Sequence, residues 1–223
     1  MQAYKTQFLK LALRLGVLRF GEFELKSGRM SPYFFNAGLF NTGAAAAPLG
    51  RCYAAALSAP GLPLHMLFGP AYKGIGLVAL TAAALAEEHG VDYPFAYNRK
   101  EVKDHGEGGS SIGARIAGRV LILDDVITAG TAATEAVEII RAAGAQPAGV
   151  FVALDREEVG TRTRASAVQA LEERLGVPVR SIVGLTDLVA HLEGEPAFSA
   201  CLPALRAYRN RYGADSHRPA PRR

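Results

Sequence analysis

Long apolar runs are missing from this chain. The longest, residues 77–86, is stopped by Glu87 and Glu88, well short of the roughly 20 residues that a membrane span requires. No charged and apolar leader stands at its start, so neither a membrane protein nor an exported one is expected. Cysteine is scarce too. Cys52 and Cys201 lie far apart among small and apolar neighbours without metal-ligand spacing, so they read as reduced, partly buried thiols of a cytoplasmic protein and exclude a disulfide scaffold. Repeats, low-complexity linkers and a Walker lysine motif are all absent. Lysine is sparse, with 6 against 19 arginines, and each of the 14 basic residues after Lys103 is arginine.

The net charge of +4 is a property of the tail. Residues 206–223 hold six arginines and one acid, Asp215, and the rest of the chain carries 19 basic and 20 acidic residues. A near-neutral body with no basic face argues against a dedicated nucleic-acid binder, and residues 214–223 read as a flexible, solvated basic tail in preference to a weak polyanion contact.

At 223 residues the length suits one α/β domain. The pattern predicts an amphipathic helix over 6–15 closed by Gly16, then a hairpin of strands 19–25 and 30–37 about Ser27-Gly28. Strands near 64–68, 93–98, 120–123, 149–154 and 179–183 then alternate with helical runs. Such alternation predicts an α/β fold, a doubly wound parallel sheet of about five strands flanked by helices. The hairpin, within residues 1–40, and the segment 203–212 are expected to form a small hood above it, all within one domain of residues 1–213. Residues 106–118 hold five glycines and two serines, which predicts a mobile loop.

The chemistry concentrates in Val120-Leu-Ile-Leu-Asp-Asp-Val-Ile-Thr-Ala-Gly-Thr131. An apolar β run covered on both faces is broken by Asp124 and Asp125, which places two carboxylates at the carboxyl edge of the sheet, where open α/β folds bind ligands. Val126, Ile127, Thr128, Ala129 and Gly130 then turn into a helix over 132–143 that begins beside Thr131 and is ended by Gly144. A glycine-containing turn into a helix aims free N–H groups and the positive end of the helix dipole at one point, which suits a phosphate. The hydroxyls of Thr128 and Thr131 can donate to it, and the two aspartates can accept from the hydroxyls of a sugar carrying it. The plainer alternative is a buried strand followed by a capped helix. Gly74-Ile-Gly76-Leu-Val-Ala79 formally matches a dinucleotide fingerprint, but the next strand ends in Asn98-Arg99, and the ribose-binding acid that fingerprint needs is missing.

Residues 124–131 resemble the 5-phosphoribosyl 1-pyrophosphate (PRPP) signature of the type I phosphoribosyltransferases. Ser31-Pro-Tyr-Phe-Phe-Asn36, Gly69-Pro-Ala-Tyr-Lys-Gly-Ile75 and Arg99-Lys-Glu-Val-Lys-Asp-His-Gly106 narrow the resemblance to the orotate branch of that family. The resemblance implies transfer of phosphoribose from PRPP to orotate in pyrimidine biosynthesis. Thr128 to Thr131 would cradle the 5-phosphate, with Val126, Ile127 and Ala132 also in the PRPP site, Asp124 and Asp125 would face the ribose, and Tyr72, Lys73 and Arg99 would meet the pyrophosphate. An unusual cis peptide is implied in the Ala71-Tyr72-Lys73 turn. Mg²⁺ would bind mainly through PRPP oxygens and water, with no direct protein ligand, in keeping with its reluctance to dehydrate.

For the flat, anionic orotate, Phe34 and Phe35 would form an apolar wall and offer backbone hydrogen bonds, and Thr128 would border the base. Arg156 would grip the carboxylate as a fork, unless it pairs instead with Glu157 or Glu158. Lys26 would sit near base and pyrophosphate. Lys100, Lys103 and His105 would ride on a mobile loop closing over the site, although His105 also reads as a plain loop histidine. Four of the six lysines therefore fall in or beside these segments, where a compact ammonium can follow a departing pyrophosphate. The resemblance further implies a homodimer with active sites shared between subunits. Two rivals remain: a purine or uracil acceptor, and a PRPP-responsive regulator of nucleic-acid binding.

Overall fold

The computed structural model describes residues 1–25, 27–58, 63–103, 109–127, 130–160 and 165–214, with backbone alone at 101–103, 109 and 110. A sheet of six strands runs through it in the order β5-β4-β3-β6-β7-β8. These strands are β3 (Met66–Gly69), β4 (Phe95–Lys103), β5 (Gly109–Gly113), β6 (Arg119–Leu123), β7 (Gln146–Asp155) and β8 (Val179–Gly184). Five are mutually parallel, as the alternating pattern requires, and β5 adds an antiparallel edge through pairings such as Asn98 with Ser111.

That edge corrects two expectations. Part of the glycine-rich stretch is strand β5, and Lys100 and Lys103 lie on β4 instead of on a loop. His105 lies outside the described residues.

Strand β6 shows why the fold is doubly wound. Leu121 and Leu123 face a layer built by α1 (Ala3–Arg14), α2 (Gly43–Leu57), α3 (Lys73–His89) and α6 (Leu185–Glu193). Val120 and Ile122 face the opposite layer of α4 (Thr131–Ala142) and α5 (Ala167–Leu175). None of the four is more than 1% exposed, and each such side chain stabilises the fold by about 1.5–3 kcal/mol before the entropy of ordering is counted. With β6 beside β3, the order of parallel strands reverses between them. A crevice therefore opens past their carboxyl ends, since the connections from β3 and β6 leave toward opposite faces.

The hood forms as expected. Strands β1 (Leu18–Glu24) and β2 (Met30–Phe35) pair antiparallel, and Gly28 in their turn takes φ +76°, a conformation that costs glycine little. Helix α7 (Leu202–Tyr212) packs on β2, where the buried Tyr33 meets Tyr208 edge to face at 6.3 Å. Helix α1 begins at Ala3, three residues earlier than the pattern suggested, and buries Phe8, Leu9, Leu11 and Ala12 along one stripe. Both cysteines are free thiols, with Cys52 buried and Cys201 half-buried. Among the described residues no helix is long and apolar enough to cross a membrane.

Candidate active site

Asp124 and Asp125 leave β6 at the strand-order reversal, and the backbone around them is pinned. Asp124 N–H donates to Phe151 O at 3.0 Å and Ala153 N–H to Asp125 O at 2.9 Å. The buried Tyr53 of α2 donates its hydroxyl to Asp124 O at 2.8 Å. The carboxylates differ in their surroundings. Asp125 is 7% exposed and ion-paired with Lys73, which opens α3 just past β3. Asp124 accepts the Asp125 N–H at 2.9 Å, yet burial, helped by the neighbouring Asp125 charge, pushes its carboxyl up to about 6. Two acids set side by side in this way resist sharing full charge unless a donor arrives, and sugar hydroxyls supply such donors.

The turn before α3 is shaped by close backbone approach. A Cβ on Gly69 would lie 2.1 Å from Gly74 O, and one on Gly74 would meet Gly69 C at 2.8 Å and Leu123 O at 2.9 Å. Only glycine lets the end of β3, the start of α3 and the end of β6 converge here. Ala71 N–H donates to the buried Asn98 side chain at 2.6 Å, and the Ala71–Tyr72 peptide is cis, as the resemblance implies. Tyr72 is 73% exposed, and the Lys73 ammonium is also largely open to solvent. Of the two dinucleotide-like glycines, Gly74 thus serves packing between α3 and the strands, whereas a Cβ on Gly76 would meet nothing within 4 Å.

Across the crevice stands the start of α4. Among the described residues Thr134 N–H makes the first helical bond of α4, to Gly130 O at 3.0 Å, and the N–H groups of the turn before it stand at the helix N-terminus, where intrahelical acceptors run out. A cavity of about 260 Å³ lies against them, lined by Asp124, Val126, Ile127, Gly130, Thr131 and Ala132, with Lys100 and Glu135 at its rim. Lys100 and Glu135 face each other at 3.4 Å, a solvent-exposed pair. Thr128 and Ala129 lie outside the described residues, as does Lys26, and of the Lys103 side chain nothing is described.

Gly130 holds the cradle's conformation. It takes φ +71°, and a Cβ there would come within 2.8 Å of Leu171 and 2.5 Å of the end of the Arg174 side chain. Gly130→Ala is expected to cost about 1–2 kcal/mol of stability from the left-handed backbone alone, with weakened phosphate affinity beside it. Denaturant unfolding and a phosphate titration check both. An unchanged midpoint would show that the turn does not need this conformation.

The expected orotate contacts fare unevenly. Phe34 and Phe35 are consecutive in β2 and point to opposite faces, so they cannot share one wall. Phe35 packs against Phe8 at 6.3 Å, while Phe34 stacks on Phe23 at 5.5 Å. Only Phe34 and the strand backbone remain for a planar ligand. Arg156, just past β7, is paired with Glu158 and reaches Ser31 Oγ at 2.9 Å. Of its two expected roles the structure displays the ion pair, with Glu158 and not with Glu157. Arg99 lies half-buried on β4 beyond the end of β3, on the face opposite Lys100. Tyr53 and Asn98, which hold the acid pair and the cis turn, carry no local sequence signal. Among the described residues no cluster of three or more His, Cys, Asp or Glu could hold a metal ion.

Comparison with known proteins agrees with this geometry. Residues 59–184 match the family model described as a phosphoribosyl transferase domain. The chain is similar to orotate phosphoribosyltransferase of Pseudomonas putida (strain W619), 59% identical over 96% of this chain and 100% of the relative. It is also similar to that of Thioalkalivibrio sulfidiphilus, at 58% with the same coverage. The crystal structure of Francisella tularensis orotate phosphoribosyltransferase superposes with a TM-score of 0.83 at 39% identity, over 93% of this chain and 99% of that one.

Proposed function

The chain belongs to the phosphoribosyltransferase family, in its orotate branch, and from that premise we propose how its residues carry the reaction. The enzyme transfers phosphoribose from PRPP to orotate, giving orotidine 5-monophosphate and pyrophosphate in pyrimidine biosynthesis. One observation carries the residue-level reading: Lys73, just past β3, and Asp125, just past β6, meet across the strand-order reversal, next to Asp124, which lines the cavity at the start of α4.

In this reading the 5-phosphate of PRPP takes the N–H groups of the 126–132 turn and the α4 dipole. Its ribose hydroxyls donate to Asp124 and Asp125. The pyrophosphate draws Lys73 away from Asp125, so one ion pair is exchanged for another while Asp125 turns to the sugar. Tyr72 and Arg99 complete the pyrophosphate side, joined by Lys26, Lys100, Lys103 and His105. Bound orotate is already anionic, so attack of its ring nitrogen on the anomeric carbon needs little proton transfer. The barrier lies in the developing ribosyl cation and pyrophosphate charge, and fixed charges held in place lower it.

Among the described residues no cluster of acids or histidines would hold Mg²⁺ by itself, so it would enter the crevice with PRPP, and Asp124 and Asp125 are the residues that would face it there. It would supply charge neutralisation on the leaving group, while Asp124 and Asp125 orient the sugar. We place the enzyme in the cytoplasm as a homodimer whose subunits share their active sites.

A panel assay tests the reading: loss of base with PRPP and Mg²⁺, measured for orotate, uracil, adenine, guanine and hypoxanthine. Orotate alone should turn over, and chelation of Mg²⁺ should stop it. A preferred purine would overturn the choice of base. Arg156→Ala is expected to raise the KM for orotate by about tenfold or more while leaving that for PRPP nearly unchanged, because only orotate offers this fork a carboxylate. Equal rises for both would make Arg156 a structural residue.

A further inference from the structure

The Arg156 guanidinium is fixed from one edge. Its Nε donates to Glu158 Oε1 at 2.7 Å, and Nη2 lies 2.6 Å from the same oxygen as an ion pair. Nη2 also donates to Ser31 Oγ of the hood at 2.9 Å, and the guanidinium carbon lies 4.1 Å over the Tyr33 ring. Glu158 in turn is clamped. Its backbone bridges Gly213 beyond α7, its side chain is 11% exposed, and the residues on either side are tied down. Ala214 N–H donates to Glu157 O at 2.7 Å and Val159 N–H to Tyr212 O at 2.8 Å, while Arg29 of the hood holds Val159 O at 2.6 Å.

Such a pair is a poor source of stability, since desolvating both charges offsets most of their attraction. What it does supply is direction. The described bonds of the guanidinium leave from Nε and Nη2, with the Tyr208 hydroxyl standing beside the pair, and none of them uses Nη1, the end that a ligand can meet.

We propose that Glu158 is a positioning residue for orotate. It acts through Arg156, setting the plane and reach of the fork so that the Nη1 end meets the orotate carboxylate. The C-terminal helix α7, by holding Glu158, thereby sets the geometry of base binding. This rests on the reading that Arg156 grips orotate.

The two roles that Glu158 could play, geometric and electrostatic, separate cleanly by substitution. Glu158→Asp keeps the charge but retracts the oxygen by one methylene; Glu158→Gln keeps the oxygen in place and drops the charge. Steady-state kinetics should show the orotate KM rising about tenfold in Glu158→Asp and no more than about threefold in Glu158→Gln, with the PRPP KM unmoved in both. Added to Arg156→Ala, Glu158→Asp should have no further effect, because it acts only through that arginine. A larger rise in Glu158→Gln than in Glu158→Asp would overturn the proposal in favour of a charge role. Full additivity with Arg156→Ala, or no rise in Glu158→Asp while Arg156→Ala raises the orotate KM, would overturn it outright and leave the Arg156 reading standing. If Arg156→Ala itself leaves that KM unchanged, both fall.

Discussion

Asp125→Asn is expected to keep its fold and lose about 10- to 150-fold in kcat/KM, the loss of one charged hydrogen bond worth about 1.5–3 kcal/mol. The fold should survive because the backbone at this position is held independently of the carboxylate. Asp125 O accepts from Ala153 N–H at 2.9 Å, and Val126 bridges Leu154 in register with the parallel strands. The side chain's only described ion pair reaches Lys73, whose ammonium is more than half exposed, so its loss costs little in water. Activity should fall because an amide is a weaker acceptor for ribose hydroxyls than a carboxylate, and because the Lys73 exchange loses its resting partner. Thermal unfolding and steady-state kinetics read the two effects separately. Near wild-type kcat/KM in a folded Asp125→Asn protein would remove the acid from its assigned role.

A second large effect concerns the proposed dimer. The β4–β5 ribbon carries Lys103 near its far end, where the pairing of Asn98 with Ser111 gives way to that of Lys103 with Gly109. A ribbon projecting past the sheet edge can reach a neighbouring subunit, and in the shared-site reading Lys103 serves the partner's site while Asp125 serves its own. Lys103→Ala and Asp125→Asn should each be nearly inactive alone. In a hybrid dimer one site collects both lesions and the other none, so each hybrid should recover about half the activity of an intact dimer. Subunit exchange followed by mass spectrometry and assay measures this. Hybrids present without activity would show that every site keeps one lesion, leaving Lys103 acting within its own subunit.

Much of this architecture was legible in the chain. Continuous apolar runs such as residues 120–123 can be satisfied only by strands covered on both faces, and an acid pair ending such a run marks the ligand edge. The β5 edge was not legible, because Gly109-Ser-Ser-Ile-Gly113 has almost no strand propensity; its order comes from pairing with β4, with Gly113 at φ +106° approaching Phe95 O so closely that a Cβ would lie 2.5 Å away. Contacts between remote residues were equally hidden. Nothing local announces that Tyr53 caps the carbonyl of Asp124, that Asn98 holds the turn at Ala71, or that Arg156 reaches Ser31. The Phe34-Phe35 wall is a different matter, since the two-residue period of a strand already forbids adjacent rings from sharing a face.

A crystal structure with PRPP and Mg²⁺ bound tests the account most directly. It should show the ribose hydroxyls about 2.5–3.0 Å from the carboxylates of Asp124 and Asp125, the 5-phosphate on the N–H groups ahead of α4, and Lys73 turned from Asp125 to the pyrophosphate. PRPP seated the other way round, with its 5-phosphate on the Tyr72-Lys73 turn, or a sugar out of reach of both aspartates, would contradict it.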